Sequence, residues 1–214
     1  MQAQPNAAVL FDLDGTLIDT IDLIVRSYHH TAEAHGKPAQ PDSFWLAGIG
    51  TPLWTQLGEI ADDKAEVDAM VVTYRKWNLA QHDALVKEFE GVKEGVHALA
   101  ERGAKLAVVT SKAHKSAVRG LEVCGLREYF DVVIGVDDVE EHKPHPAPVL
   151  HGLKCLDARP EESIYVGDST YDLIAGRRAG VRTAAAIWGV ASRADLAALN
   201  PDVWLEQPRE FAEL

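Results

Sequence analysis

Residues 7–11 form an unbroken apolar run of strand length, closed by Asp12-Leu13-Asp14-Gly15-Thr16. A run this short, punctuated by glycine, predicts a buried strand rather than a helix. Helical spacing comes next: Ile21, Ile24, Val25 and Tyr28 share one stripe, Asp19 or Thr20 stands where a helix cap belongs, and Lys37-Pro38 after Gly36 stops the helix. Gly48-Ile49-Gly50-Thr51-Pro52 predicts a loop leading into a short helix. Val67, Met70, Val71, Tyr74 and Trp77 then mark the buried stripe of a long helix over 62–81. No convincing strand pattern interrupts residues 18–87.

From Gly91 onward strands and helices alternate. A helix over 92–102 precedes a strand over 106–109. A helix with Ala117, Val118, Leu121 and Cys124 inward then ends at Gly125. Strands over 132–134, 164–166 and 184–187 alternate with helices over 147–156 and 170–179. The tail over 201–214 predicts a short edge element at most. Such alternation indicates a parallel sheet covered on both faces. The expected architecture is α/β: a doubly wound, Rossmann-like parallel sheet core of residues 1–17 and 88–214, with a helical cap domain of residues 18–87 inserted after the first strand. The linkers at 17–19 and 87–91 are the expected hinges.

The 214 residues, 47% hydrophobic, are enough for a core of their own. Twenty-one basic against 33 acidic residues leave a net charge of −12. That surface repels polyanions, so no nucleic-acid partner is expected. An anionic substrate would have to be met by positive charge supplied locally. Cys124 and Cys155, both in helical patterns, read as small apolar residues rather than as a disulfide or metal pair. Residues 1–6 do not read as a secretory leader and no run has membrane-spanning length, so a soluble, cytoplasmic protein without a membrane partner is expected.

In doubly wound sheets ligands bind at the carboxyl ends of the strands. The residues just beyond each strand therefore assemble a site. The first strand contributes Asp12 and Asp14, the second Thr110-Ser111-Lys112, the third Asp137-Asp138 and then Lys143-Pro144-His145-Pro146, and the fourth Gly167-Asp168-Ser169-Thr170-Tyr171-Asp172. Alternate residues of a strand share a face, so Asp12 and Asp14 place two like charges at the end of an apolar strand. That is costly unless compensated. A divalent cation compensates, and a carboxylate beside one can serve as nucleophile or acid/base. An Asp-Leu-Asp-Gly turn alone is also an ordinary strand cap. Polar residues at four successive strand ends point instead to a metal and an anionic oxyacid.

These residues resemble the motifs of the haloacid dehalogenase superfamily in its phosphatase branch. Asp12-Leu13-Asp14-Gly15-Thr16 matches the first motif, Thr110 with Ser111 the second, Lys143 in Lys-Pro-x-Pro the third, and Gly167-Asp168-Ser169-x-x-Asp172 the fourth. The resemblance implies phosphoryl transfer with Mg2+ as cofactor. Asp12 would be the nucleophile that forms an aspartyl-phosphate, and Asp14 the acid and then the base. Magnesium would be held by Asp12, the backbone carbonyl of Asp14, and Asp168. Thr110, the Ser111 N–H at a helix start, and Lys143 would bind the phosphoryl group. Asp172 and Ser169 would stand behind these, orienting a metal-bound water or Lys143.

Asp14 distinguishes the chain from the dehalogenases of the superfamily, and Leu13-Asp14 from its transport ATPases. Hydrolysis of a small phosphate ester or anhydride remains, as by a phosphoric monoester hydrolase or an inorganic pyrophosphatase. The overall pattern resembles the phosphoglycolate phosphatases and bacterial pyrophosphatases. Tyr74-Arg75, Asn78, His82-Asp83 and residues 136–140 lean toward the latter. The partner is then a small phosphorylated metabolite or pyrophosphate, with Gly50, Thr51, Arg75 and His82 as candidate cap contacts. Two alternatives stand beside this. A sugar-phosphate mutase of the same fold would be expected to carry His where Ile24 stands, and a non-catalytic phosphoprotein-binding module would have lost the nucleophile, acid or lysine. His29, His30, His142 and His145 read as exposed side chains, and Trp45, Trp54 and Trp77 as packing within the helical segment.

Overall fold

β1 (Ala8–Phe11) is covered on both faces, and its alternating side chains supply two separate cores. Val9 and Phe11 enter one and Ala8 and Leu10 the other, which is why the strand reads as continuously apolar. In the computed structural model, which describes residues 7–214, β2 (Ile18–Asp19) comes next, then α1 (Ile21–Ala34), α2 (Asp42–Ala47), α3 (Leu53–Leu57), α4 (Lys64–Leu85) and β3 (Lys87–Glu88). The remainder alternates: α5 (Val92–Glu101), β4 (Lys105–Val109), α6 (His114–Val123), β5 (Val132–Ile134), α7 (Ala147–Leu156), β6 (Ile164–Gly167), α8 (Thr170–Ala179), β7 (Arg182–Ala186), α9 (Arg193–Ala197) and β8 (Val203–Leu205). The reading of residues 1–6 lies outside the described residues.

Six strands form one parallel sheet in the order β5-β4-β1-β6-β7-β8. The chain winds outward from β1 to β5, crosses to β6, and winds outward the other way. β1 and β6 therefore flank the switch point of a doubly wound fold, as expected. α5 and α6 cover one face and α7 and α8 the other. Between β2 and β3, α1 to α4 enclose a cluster of their own around Trp45, Met70 and Tyr74, with Trp45 stacked on Tyr28 at 4.7 Å. β2 and β3 pair antiparallel, Ile18 opposite Glu88 and Asp19 opposite Lys87.

Several elements differ from the expectation. α2, too short for its periodicity to register, is held by the fully buried Trp45. β7 begins at Arg182, two residues before its apolar stretch. Thr20 occupies the N-cap of α1 without capping it, because its hydroxyl donates to Asp14 instead. The tail is more than an edge: after β8 a 3-10 turn, Pro208–Glu213, inserts Phe211 fully buried against Phe11, ring centroids 4.9 Å apart. One aromatic in a polar tail leaves no periodic signal. Both cysteines are free, Cys124 packed against the core and Cys155 exposed on α7. No helix of the described residues is long and apolar enough to cross a membrane.

Two consequences are measurable. Phe211→Ala should destabilise the fold by about 3–5 kcal/mol in chemical denaturation, the usual cost of emptying a buried aromatic site, although the residue lies close to the end of the chain. Burial pushes the Cys124 thiol up to about 11. At pH 8 a thiol reagent should therefore titrate Cys155 alone in the folded protein and both cysteines after denaturation. Two fast equivalents in the native state would contradict that burial.

Candidate active site

Lys143, in the connection between β5 and α7, carries the site's central cation, with its side chain 1% exposed. An ammonium has three N–H donors. Here they reach Asp12 Oδ1 at 2.9 Å, Asp172 Oδ1 at 2.6 Å and the Tyr165 hydroxyl at 3.2 Å. Burial alone would lower the lysine's pKa, but Asp12 and Asp172 outweigh it and keep the ammonium charged. The Tyr165 hydroxyl donates in turn to the Val109 carbonyl at 2.8 Å. The second oxygen of Asp172 accepts from the Ser169 N–H at 3.1 Å and hydroxyl at 2.5 Å, a capping box that opens α8. Asp172 is thus turned toward Lys143 on one side and its own helix start on the other.

Asp168, at the end of β6, is equally constrained. Its Oδ1 accepts from the Thr16 hydroxyl at 2.7 Å and its Oδ2 from the Val190 N–H at 2.8 Å. Gly15 and Gly189 press against it so closely that a methyl group on either would overlap the carboxylate; Gly15 also adopts φ +87°, a conformation suited to glycine. Carboxylate oxygens of Asp12, Asp168 and Asp172 lie within 4.8 Å of one another. One ammonium does not balance three buried carboxylates. Burial and the charge of Asp172 push the Asp12 carboxyl up to about 7, and burial with both neighbours pushes Asp168 well above the carboxylate range. This donor set fits a divalent cation, with Asp12 and Asp168 facing it and Asp172 engaged with Lys143.

Asp12 and Asp14 border a cavity of about 340 Å3 between the strand ends and the helical segment. Thr110 and Ser111 line its floor, and Gly50, Thr51, Arg75 and His82 line it from the helical side, whereas Lys143, Asp168, Ser169 and Asp172 lie outside its lining, with Lys143 reaching it through Asp12. Their engagements differ from the expectation in several respects. Asp14 lies apart from the carboxylate cluster, its Oδ1 accepting from the Thr20 hydroxyl and from Lys112 Nζ, each at 2.7 Å. α6 begins only at His114, so Ser111 stands before the helix rather than in its first turn. Its hydroxyl donates to the Gly50 carbonyl at 2.6 Å and ties the two halves of the chain together. Asp137 and Asp138 serve the start of α6, the first accepting from the His114 N–H and the second lying 2.7 Å from its ring nitrogen.

On the helical side, Arg75 is exposed and has no ion pair or hydrogen bond among the described residues. His82 is buried, with Nδ1 2.9 Å from Asp83 Oδ1 and Nε2 unpartnered; burial lowers its pKa. Asp83 also takes a bidentate ion pair from Arg119, at 2.8 and 2.7 Å, joining α4 to α6. Trp54 lines the cavity and meets His142 edge-on at 5.3 Å rather than packing inside the helical segment. Ile24 forms part of the wall. The roles of four participants are not legible in the sequence. Thr16 closes the first matched motif and Lys112 follows the second, which could have flagged them; Thr20 stands in a cap position, and Tyr165 looks like one more core residue of β6.

The family of haloacid dehalogenase-like hydrolases matches this chain over residues 9–186. The chain belongs to that family. The pyrophosphatase PpaX of Anoxybacillus flavithermus is 45% identical over 206 residues, covering 96% of this chain and 95% of that protein. Its namesake in Bacillus cereus is 43% identical over 199 residues, covering 93% and 91%. Among solved structures, a haloacid dehalogenase-like hydrolase of Streptococcus pneumoniae superposes with TM-score 0.83 at 26% identity over 96% of this chain and 95% of its own. A predicted phosphoglycolate phosphatase from Haemophilus somnus shares the fold with TM-score 0.89 at 23% identity over 98% of each chain. The resemblance drawn from four short motifs thus extends along the whole chain, and the phosphatase branch expected from them is the branch its relatives are named for.

The glycine contacts of Asp168 yield a sharp test. Gly189→Ala should weaken activation by added Mg2+ about 10–100-fold, the usual effect of disturbing the surroundings of a metal site, and should cost about 1–3 kcal/mol of stability, as overpacking does. A magnesium titration of initial rate reads the shift; an unchanged half-activating concentration would show that Asp168 tolerates displacement.

Proposed function

We propose that the protein is a magnesium-dependent pyrophosphatase that works through an aspartyl-phosphate on Asp12. The observation that carries this reading is that Asp12, held from behind by Lys143, and Asp14 border one cavity roofed by the helical segment. Asp12 attacks phosphorus, the bond from phosphorus to the leaving oxygen breaks, and Asp14 gives that oxygen a proton. A water then attacks the phosphoryl group and returns a proton to Asp14. The bond from phosphorus to Asp12 breaks and the carboxylate is restored.

Lys143 fixes one oxygen of Asp12 and holds positive charge beside the transferring group. Thr110 and the Ser111 N–H face the same group from the end of β4. Asp12, Asp168 and the Asp14 carbonyl would hold magnesium, which when bound would supply charge neutralisation for the phosphoryl oxygens. Residues 18–87 act as a cap that excludes bulk water, and the Ser111 to Gly50 and Arg119 to Asp83 contacts fasten it. Pyrophosphate is favoured over phosphoglycolate by the 43–45% identical relatives named for it; the cavity of about 340 Å3 admits either.

The deciding experiment measures initial rates of phosphate release with Mg2+ for pyrophosphate and 2-phosphoglycolate in parallel, with Asp12→Asn as the blank. The expected result is a kcat/KM at least about a hundredfold higher for pyrophosphate, roughly 2.7 kcal/mol of transition-state preference. The reverse ratio would make the protein a phosphoglycolate phosphatase. Release from neither substrate faster than with Asp12→Asn, with a generic aryl phosphate still cleaved, would keep the mechanism and discard both substrates.

A further inference from the structure

The cations around the cavity are not equally engaged. Lys143 has an acceptor for every N–H, and Arg119 is held bidentately by Asp83. Arg75 has no partner among the described residues but stands exposed to solvent, able to satisfy itself there. Lys112 differs from all three. Its side chain is 11% exposed, it lines the cavity, and among the described residues one acceptor meets its three ammonium donors: Asp14 Oδ1 at 2.7 Å. A largely buried ammonium with donors left over is unfavourable until an anion reaches it.

Asp14 does not depend on that contact. The Thr20 hydroxyl donates to the same oxygen, also at 2.7 Å, so Asp14 stays oriented when Lys112 leaves. The ammonium is therefore tethered where the nucleophile's neighbour meets the open part of the cavity, and it can exchange one anionic partner for another without leaving a carboxylate unheld.

We propose that Lys112 determines specificity for the leaving group, binding the second anionic group of the substrate and moving to it from Asp14 as the substrate seats. The chemistry recognised is a phosphate compound whose leaving side carries its own anionic oxygens, the distal phosphate of a diphosphate or the carboxylate of a phosphorylated hydroxy acid. Occupation of that subsite frees Asp14 to face the leaving oxygen with Thr20 behind it. A substrate without a second anion leaves the Lys112–Asp14 pair intact and Asp14 occupied. The inference rests on the cavity being a phosphohydrolase site; it holds for either substrate considered above.

The test compares kcat/KM for pyrophosphate and 2-phosphoglycolate with that for p-nitrophenyl phosphate, which has no second anion, in the wild type, Lys112→Gln and Lys112→Arg. The wild type should prefer at least one two-anion substrate. Lys112→Gln should cut that preference about thirtyfold, chiefly through KM, the effect of one hydrogen bond to a charged group, and Lys112→Arg should restore most of it. In an Asp12→Asn background, calorimetry should show methylenediphosphonate weakened by a similar factor and inorganic phosphate much less. Lys112→Met, which keeps the stem without the charge, must give the same loss and serves if Lys112→Gln folds poorly. An equal loss on all three substrates, or an unchanged preference, overturns the role of Lys112 and leaves the phosphohydrolase reading standing. A wild type that prefers neither two-anion substrate overturns the substrate reading and this inference together.

Discussion

One buried ammonium holds the site together. Lys143 takes Asp12 from the end of β1, Asp172 from α8 and Tyr165 from β6 as its three acceptors, so a single side chain ties three elements at the switch point of the sheet. Removing any one acceptor would leave an N–H unpaired in a place water does not reach, and buried charges tolerate that poorly. The ion pair also accounts for how an acidic protein can concentrate carboxylates at one spot. The excess negative charge is carried by the surface, whereas inside, each carboxylate is given a donor before any ligand arrives.

The parts of this arrangement that were legible in the sequence are those whose positions depend on local periodicity. β1 ends at Phe11 because the apolar run ends there, and Asp12 comes directly after it; the same holds for Thr110 after β4 and Asp168 at the end of β6. The capping box of Ser169 and Asp172 is written in a spacing of three. What stayed hidden depends on which distant group a side chain meets. Thr20 looks like a helix cap until Asp14 claims its hydroxyl, and the Ser111 hydroxyl meets Gly50 across 61 positions. Tyr165 is apolar enough to pass for core, and only its neighbours show that its hydroxyl belongs to the charge network. Phe211 is the packing counterpart: nothing beside it in the sequence announces that it fills the space next to Phe11.

The two halves of the chain divide the work at the cavity. The sheet side contributes groups whose geometry is fixed by strand ends and buried hydrogen bonds, so they vary little with the occupant. The helical side contributes a looser set: an exposed Arg75, a His82 with one nitrogen unpartnered, and a tryptophan at the wall. A rigid reactive centre facing an adaptable roof suits one reaction applied to different leaving groups.

The antiparallel pairing of β2 with β3 decides how the roof is joined to the sheet. Two separate single-stranded tethers would let the helical segment twist, slide and tilt. Because Ile18 faces Glu88 and Asp19 faces Lys87, the outgoing and returning chains are laced into one ribbon two residues long. A ribbon bends readily across its flat face and resists shear within it. The helical segment is therefore joined to the sheet by one paired strip rather than by two independent strands, and the Gly50–Ser111 and Asp83–Arg119 contacts hold it at points away from that strip.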